Sequence, residues 1–415
     1  MKYVILIGDG MADYPLPERG NRTALQIAST PNLDFIAAEG RCGLVKTIPE
    51  GMHAGSDIAT LSILGYDPAE YHTGRGPLEA MAMRMPLNER DIVFRCNLIT
   101  ETEGIIEDFS GGHITTAEAK ALIAALNEEF SDKFVEQGWE LTFYAGVSYR
   151  NILVIKSRSN DLKFREGKEI GGAPPHDIVG ERIEEYLPKE DILRDVMLAS
   201  KEVLDAHEVN RKRRVRNEKK ANMVWLWSGG RKPAMPSFSE LYGVHGSVIS
   251  GVDLIKGIGR CVGLDAIDVP GATGYFDTNY KGKADYALRS LAGNDFVLVH
   301  VEAPDEAGHL RDIDLKVKAI EDFDALVVGT VLKGLEAEFA DAEEGYRVLV
   351  MPDHYTPVSV GTHTKEPVPF AIYDSRARSE QKKGGGFDEQ FARNSELGVL
   401  DARAQELMQL FFNRL

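Results

Sequence analysis

Cysteine is scarce in this chain: three in 415 residues, Cys42, Cys96 and Cys261. An odd, widely spaced trio excludes a disulfide framework and a cysteine metal site. No apolar run approaches the ~20 residues of a membrane span. The amino terminus enters an apolar run directly, without a signal-peptide layout, so a cytoplasmic location is expected. Excess positive charge is also missing: 48 Lys and Arg stand against 65 Asp and Glu, a net charge of −17, which argues against a nucleic-acid surface. It does not argue against a phosphorylated substrate, because bound divalent cations reverse the local sign at a site. Nucleotide-binding loops are absent too. No G-x-x-x-x-G-K-[ST] stretch occurs, and Gly8-Asp9-Gly10 and Gly257-Ile258-Gly259 carry Asp13 and Val262 where a dinucleotide fingerprint needs its third glycine.

Three apolar runs that each end on an acidic residue are what the chain does have. Val4-Ile5-Leu6-Ile7 leads into Gly8-Asp9-Gly10, Val297-Leu298-Val299-His300-Val301 into Asp305-Glu306-Ala307-Gly308-His309, and Val348-Leu349-Val350-Met351 into Asp353-His354, with His363 nine residues on. Short β-branched runs bounded by turn residues read as buried strands of a parallel sheet. Ligands of open α/β sheets sit beyond the carboxyl ends of such strands. Each acid or imidazole has a plainer reading by itself: Asp305 and His309 as a surface pair one helical turn apart, Asp9 as turn chemistry, His363 as a core histidine. Six potential ligands following three strands select a metal centre instead. The oxygen and nitrogen donors, without thiolate, suit Mn²⁺, Zn²⁺ or Mg²⁺.

Residues 1 to about 105 alternate strand and helix patterns. A helix is expected after Ser29-Thr30-Pro31, with Thr30 as cap, Pro31 in the first turn and Leu33, Ile36 and Ala37 as its apolar stripe. From about Phe109 the texture changes. A loop at Ser110–His113 precedes a strong helix from Thr116, two strand-like segments (140 to 146 and 149 to 155) and a Gly/Pro-rich stretch ending at His176. Residues 106–190 therefore read as a smaller α+β domain inserted in an α/β core of residues 1–105 and 191–415. A helix from about Asp191 runs into the basic stretch Arg211–Arg216, read as a solvated face or linker, and the α/β texture resumes near Met223.

Ser56, in His53-Ala54-Gly55-Ser56-Asp57, follows a glycine at the mouth of a helix, where backbone N–H groups favour an anion. Its plain reading is an N-cap. Beside a metal cluster it becomes a nucleophile, because a cation stabilises the alkoxide that neutral water does not.

Gly8-Asp9-Gly10-Met11, Thr30-Pro31-Asn32-Leu33-Asp34, Gly55-Ser56-Asp57, Thr73-Gly74-Arg75-Gly76-Pro77, Asp305-Glu306-Ala307-Gly308-His309 and Pro352-Asp353-His354-Tyr355-Thr356-Pro357 resemble, in matching order over nearly the whole chain, the archaeal-type cofactor-independent phosphoglycerate mutases of the alkaline phosphatase superfamily. The resemblance implies an alkaline-phosphatase-like three-layer core with a mostly parallel sheet. It implies two divalent ions, manganese first among them with zinc, cobalt and magnesium as alternatives, and no 2,3-bisphosphoglycerate. One ion would be held by Asp9, Ser56, Asp353 and His354, the other by Asp305, His309 and His363. Ser56 would form a phosphoserine while 3-phosphoglycerate and 2-phosphoglycerate interconvert. Arg75, His113, Arg150 and His176 are candidates for gripping this small phosphorylated substrate, and the inserted domain would close over the core to exclude water. Gly76-Pro77-Leu78-Glu79-Ala80-Met81-Ala82-Met83-Arg84 and Val301-Glu302-Ala303-Pro304-Asp305 look closer to a bacterial branch proposed to be homoserine kinases, so phosphoryl transfer from ATP to homoserine is the alternative.

Overall fold

The computed structural model describes residues 1–157, 170–339, 345–377, 385–402 and 405–412. Thirteen strands occur among them: β1 (Lys2–Gly8), β2 (Arg41–Lys46), β3 (Ile92–Thr102), β4 (Ile105–Asp108), β5 (Trp139–Val147), β6 (Arg150–Ser157), β7 (Met223–Arg231), β8 (Gly246–Ile249), β9 (Asp265–Ile267), β10 (Phe296–Val301), β11 (Tyr346–Met351), β12 (Val368–Asp374) and β13 (Val399–Asp401). The chain divides into two compact units, Met1–His72 with Met235–Leu415, and Thr73–Ala234.

The first unit is built on an eight-stranded sheet in the order β13-β2-β12-β11-β1-β10-β8-β9. β12 runs antiparallel to both its neighbours and every other pairing is parallel. The sheet is covered on both faces. Val4, Leu6, Val297 and Val299 pack with Leu33 and Ile36 of helix Pro31–Glu39 and with Ala284, Ala287 and Leu291 of helix Tyr280–Leu291. On the other face the ring of Tyr3 meets Phe411 of helix Glu406–Phe411 at 5.6 Å, and Phe296 meets Phe238 of helix Phe238–Tyr242 at 4.5 Å. Alternate residues of one strand thus feed two cores, as its period of two requires. β10 and β11 are buried throughout, which is why these strands are continuous apolar runs rather than alternating ones. β1 lies between β10 and β11, parallel to both, so the residues that follow all three gather at one edge.

The second unit holds the other sheet, in which β4, β3, β6 and β5 lie in that order and β7 also pairs with β3. All of its pairings are antiparallel. One face, bearing Ile92, Phe94, Cys96 and Leu98, packs on helices Thr116–Phe130 and Asp191–Ala206. On the opposite face Val93 packs with Ala80 of helix Arg75–Ala82. The sequence reading drew the insert at 106–190. The compact unit extends beyond both limits because β3 and β7, in segments assigned to the core, hydrogen-bond to each other, and β3 also pairs with β6.

Local expectations and outcomes differ at two other points. Helix Pro31–Glu39 begins where expected, yet the Thr30 side chain does not cap it. The Asp324 carboxylate accepts the Asn32 and Leu33 N–H groups instead, at 3.1 and 2.7 Å. The helix from Asp191 breaks at extended His207 and restarts as Glu208–Val215. Within its basic run Arg213 is buried, donating to Glu118 at 2.9 Å and to the Gly112 carbonyl at 2.7 Å, so this member ties the unit together rather than facing solvent.

A buried polar network braces the loop after β1. Lys316 Nζ donates to Asp13 Oδ2 (2.8 Å), the Ala12 carbonyl (3.1 Å) and the Thr356 carbonyl (2.9 Å). Glu389 accepts the Asp13 N–H at 3.0 Å and the Thr23 hydroxyl at 2.6 Å. Burial pushes the Glu389 carboxyl from an ordinary 4.5 up to about 7. A carboxyl whose folded pKa lies above its unfolded one binds its proton more tightly when folded. The stability this contributes is present below about 4.5 and lost as pH rises through about 7. Urea unfolding of the wild type across that window should therefore show stability falling with pH, and Glu389→Gln should flatten the slope. Equal slopes in both proteins would remove Glu389 as the cause.

Candidate metal centre and nucleophile

The carboxyl ends of β1, β10 and β11 deliver Asp9, the helix Ala303–His309 that carries Asp305 and His309, and the pair Asp353-His354. Gly10 lets the first of these loops approach the second. Its φ is +61°, and a Cβ there would stand 2.8 Å from the Asp305 backbone and 2.5 Å from Thr356 Oγ1. Only glycine combines that conformation with that clearance.

Two ligand groups are made of the expected residues. In one, Asp9, Asp353 and His354 bring ligand atoms within 4.8 Å of one another, and all three are wholly buried. His354 Nε2 lies 3.5 Å from Asp9 Oδ1 and 3.5 Å from Asp353 Oδ2, and neither oxygen has a hydrogen-bond partner among the described residues. Buried carboxylate oxygens without donors are costly unless a cation meets them. Asp353 is held in place by its other oxygen, which accepts the Gly10 N–H at 3.2 Å and the His354 N–H at 2.8 Å. In the second group, Asp305, His309 and His363 converge. His309 Nε2 stands 3.1 Å from Asp305 Oδ2 and 3.0 Å from His363 Nε2. The Nδ1 atoms lie 3.1 Å from the Gly361 carbonyl and 3.3 Å from the Ala54 carbonyl. Carbonyls at Nδ1 place the proton there and turn Nε2 inward, the usual way of orienting a ligating imidazole.

Ser56 opens helix Ser56–Ile63 after an extended Gly55. Its Oγ lies 3.2 Å from Asp9 Oδ2 and 3.2 Å from His354 Nε2. The helix start, read from the sequence as a possible N-cap, instead carries the serine as its first residue.

Charge explains the electrostatics of the pocket. Burial, then the neighbouring Asp353, Glu302 and Asp305 carboxylates, raise the Asp9 pKa well above the ordinary value. Glu302 is pushed to about 8 by burial and by Asp305. Burial opposes ionisation of Asp305 as well, but hydrogen bonds from His309 and His363 outweigh it and hold its pKa low. The same Asp305 bond raises His309 to about 9. Carboxylates crowded at this density call for more positive charge than the imidazoles provide.

The seven residues expected to hold metal are thus brought together in the first unit. Three neighbours were missed. His300 stands 3.0 Å from Asp9 Oδ2, Glu302 follows it, and Thr356 donates its hydroxyl to Asp305. The available signal was a histidine inside an otherwise apolar buried strand. Beside Ser56, the buried Asp57 carboxylate takes His72 Nε2 at 2.8 Å and His53 Nε2 at 3.6 Å.

The four expected substrate residues lie in the second unit and divide three to one. Arg95, unremarked in the sequence, is stacked 4.1 Å over the Trp227 ring and lies 3.1 Å from Glu79. Burial lowers its pKa, opposed by Glu79 and assisted by the nearby Arg75 and Arg150 cations. His176 packs edge-on to Trp227 at 5.7 Å, and its pKa is lowered by burial and by Arg95 and Arg75. His113 is exposed in the Ser110–His113 turn with φ +52° and joins none of the described contacts of this cluster.

Carboxylates and imidazoles at the carboxyl edge of a mostly parallel sheet, with a serine hydroxyl among them, define a class of α/β enzyme suited to metal-assisted group transfer. The family model described as 2,3-bisphosphoglycerate-independent phosphoglycerate mutase matches residues 37–210. A protein of that name from Methanosarcina barkeri is 49% identical over 405 residues, covering 97% of each chain. One from Geobacter sulfurreducens, named as probable, is 46% identical and covers 98% of this chain and 99% of its own. A solved cofactor-independent phosphoglycerate mutase of Thermoplasma acidophilum shares 28% identity at a TM-score of 0.66, covering 99% of this chain and all of its own. A solved Pyrococcus horikoshii protein, also 28% identical, reaches a TM-score of 0.81, covering all of this chain and 98% of its own. The chain belongs to the family of 2,3-bisphosphoglycerate-independent phosphoglycerate mutases.

Proposed function

We propose that this enzyme interconverts 3-phosphoglycerate and 2-phosphoglycerate through a phosphoserine on Ser56, without 2,3-bisphosphoglycerate. The observation that carries the reading is the position of Ser56 Oγ, 3.2 Å from both Asp9 and His354, inside the ligand groups described above. One ion would be held by Asp9, Ser56, Asp353 and His354, the second by Asp305, His309 and His363. When bound, the ions supply positive charge that favours the serine alkoxide and offsets charge on the transferring phosphoryl oxygens. Manganese heads the list, and zinc, cobalt and magnesium accept the same donors.

Ser56 Oγ attacks phosphorus as the alkoxide, its proton released to solvent, the bond from phosphorus to the substrate oxygen breaks, and that oxygen leaves as a hydroxyl by taking a proton. The neighbouring hydroxyl of the retained glycerate then attacks the phosphoserine, loses its proton, and releases Ser56. Asp305 and His363 keep His309 oriented, and a bound cation would need His309 as the neutral imidazole. Arg75, Arg95 and Arg150 are cations whose planar forks suit carboxylate or phosphate, with His176 beside them as a hydrogen-bonding ring, and we assign the grip on glycerate to these four. The cytoplasm is the compartment proposed for the enzyme. Among the described residues no helix is long and apolar enough to cross a membrane.

The homoserine-kinase alternative gains no support from the relatives above, all of which carry the mutase name where they carry an activity. ³¹P NMR of the Mn²⁺-loaded enzyme with 3-phosphoglycerate, and no nucleotide, should show a 2-phosphoglycerate resonance growing without inorganic phosphate. An unchanged spectrum, followed by phosphorylation of homoserine on adding ATP, would overturn the reading.

A further inference from the structure

Asp9 presents two oxygens to different surroundings. Oδ2 accepts the Ser56 hydroxyl at 3.2 Å and faces His300 Nε2 at 3.0 Å. Oδ1 has no hydrogen-bond partner among the described residues. The His300 ring is wholly buried, and its second nitrogen, Nδ1, lies 3.2 Å from Ser250 Oγ. Ser250 Oγ in turn accepts the Val252 N–H at 2.9 Å. The line of bonds has one consistent direction. An ionised Asp9 carboxylate can only accept, so Nε2 carries the ring proton and donates it to Asp9. In a neutral ring Nδ1 then accepts the Ser250 hydroxyl, whose oxygen still has a lone pair for the Val252 N–H. The backbone on either side is fixed as well: His300 pairs with Ile7, two residues before Asp9, and its carbonyl accepts Lys283 Nζ at 3.1 Å.

We propose that His300 is a positioning residue of the metal centre, with Ser250 holding its far ring nitrogen. By tying down Asp9 Oδ2 it turns Oδ1 toward the cation and keeps the Ser56 hydroxyl on the Oδ2 side. A carboxylate without this anchor rotates about its last torsion, which is broad and soft, and offers either oxygen or both. The inference rests on the two-metal reading above and adds to it a residue outside its ligand set. A competing role exists, because the ligand atoms of Asp9, His300 and Glu302 also lie within 4.8 Å of one another. His300 could then be a ligand itself, and stoichiometry tells the two apart.

The test is calorimetric titration of the metal-free enzyme with Mn²⁺, independent of any substrate. His300→Ala should weaken binding by about 10- to 100-fold, the range for removing an outer partner of a ligand, with the number of ions bound unchanged. His300→Gln, which keeps a donor at the reach of Nε2, should recover part of the loss. Ser250→Ala should shift affinity by a smaller factor, and it leaves the ring in place should His300→Ala fail to fold. At saturating Mn²⁺ the KM for 3-phosphoglycerate should stay near wild type. Unaltered affinity in folded His300→Ala, equal losses in His300→Ala and His300→Gln, or the loss of one bound ion would each overturn the proposal. A wild type that binds no Mn²⁺ overturns the two-metal reading and this inference with it. A normal wild-type titration with an unaltered variant overturns this inference alone.

Discussion

Ser56→Ala should lower phosphoglycerate turnover by at least about 10⁴-fold, the scale on which loss of a catalytic nucleophile registers, while the fold persists. The hydroxyl makes its two described contacts with Asp9 and His354, which keep their other partners when it is gone. Asp353 remains fixed by the Gly10 and His354 amides. Among the described residues no second hydroxyl contacts both Asp9 and His354. Thr356 is the other alcohol at the centre, and its proton is directed to Asp305. A covalent route thus has no second entry. Rapid quenching with ³¹P detection should find phosphoserine in the wild type and none in the variant. Residual mutase activity above about one hundredth of wild type would show that the phosphoryl group moves without Ser56.

How much of this could be read before the fold was known depends on whether the physics was local. The strands ending at Asp9, Asp305 and Asp353 were legible because a strand buried on both faces must be apolar along its whole length. A charge at its end then stands out. Their neighbourhood in the order β11-β1-β10 was not written in any one segment, and it is this order that gathers the acids. The segments of β3 and β7 were placed in the core for the same reason: a strand pattern shows that a strand exists, not with what it pairs. The register of those two strands opposes Arg95 to Trp227, so their stacking was invisible to spacing arguments. His300 lay in plain view within β10. A histidine in a buried strand has an ordinary core reading, and only the distance to Asp9 separates that from a role at the centre. Thr30 was a sound cap by residue type, but Asp324, a distant residue, reached the same amides first.

Lys316→Met should destabilise the folded protein by roughly 3–5 kcal/mol, the cost of removing one partner from a buried ion pair. Methionine fills a similar volume, so the loss is electrostatic and not a cavity effect. It would leave the Asp13 carboxylate, itself 2% exposed, without its cation, and the Ala12 and Thr356 carbonyls without their shared donor. Amides of Tyr14 and Val358 still reach Asp13, at 2.8 and 3.3 Å, but dipoles replace a full charge poorly in a buried site. Lys318, two positions along the same helix Ile313–Asp322, supplies the control. It pairs with Asp322 at the surface, its side chain 62% exposed, and Lys318→Met should change stability by no more than about 0.5 kcal/mol. Urea unfolding should show the contrast as a shifted midpoint at unchanged slope. A second readout follows from where the ammonium sits. Ala12 lies in the loop that carries Asp9, and Thr356 in the loop that carries Asp353 and His354. One buried cation therefore ties together the two segments from which a metal site must be assembled. Half-saturation by Mn²⁺ should rise in Lys316→Met even under conditions where the variant is fully folded, and stay unchanged in Lys318→Met. Equal stability losses in the two variants would mean that the buried pair is worth no more than a surface one, and an unchanged Mn²⁺ half-saturation would separate the brace from the site it adjoins.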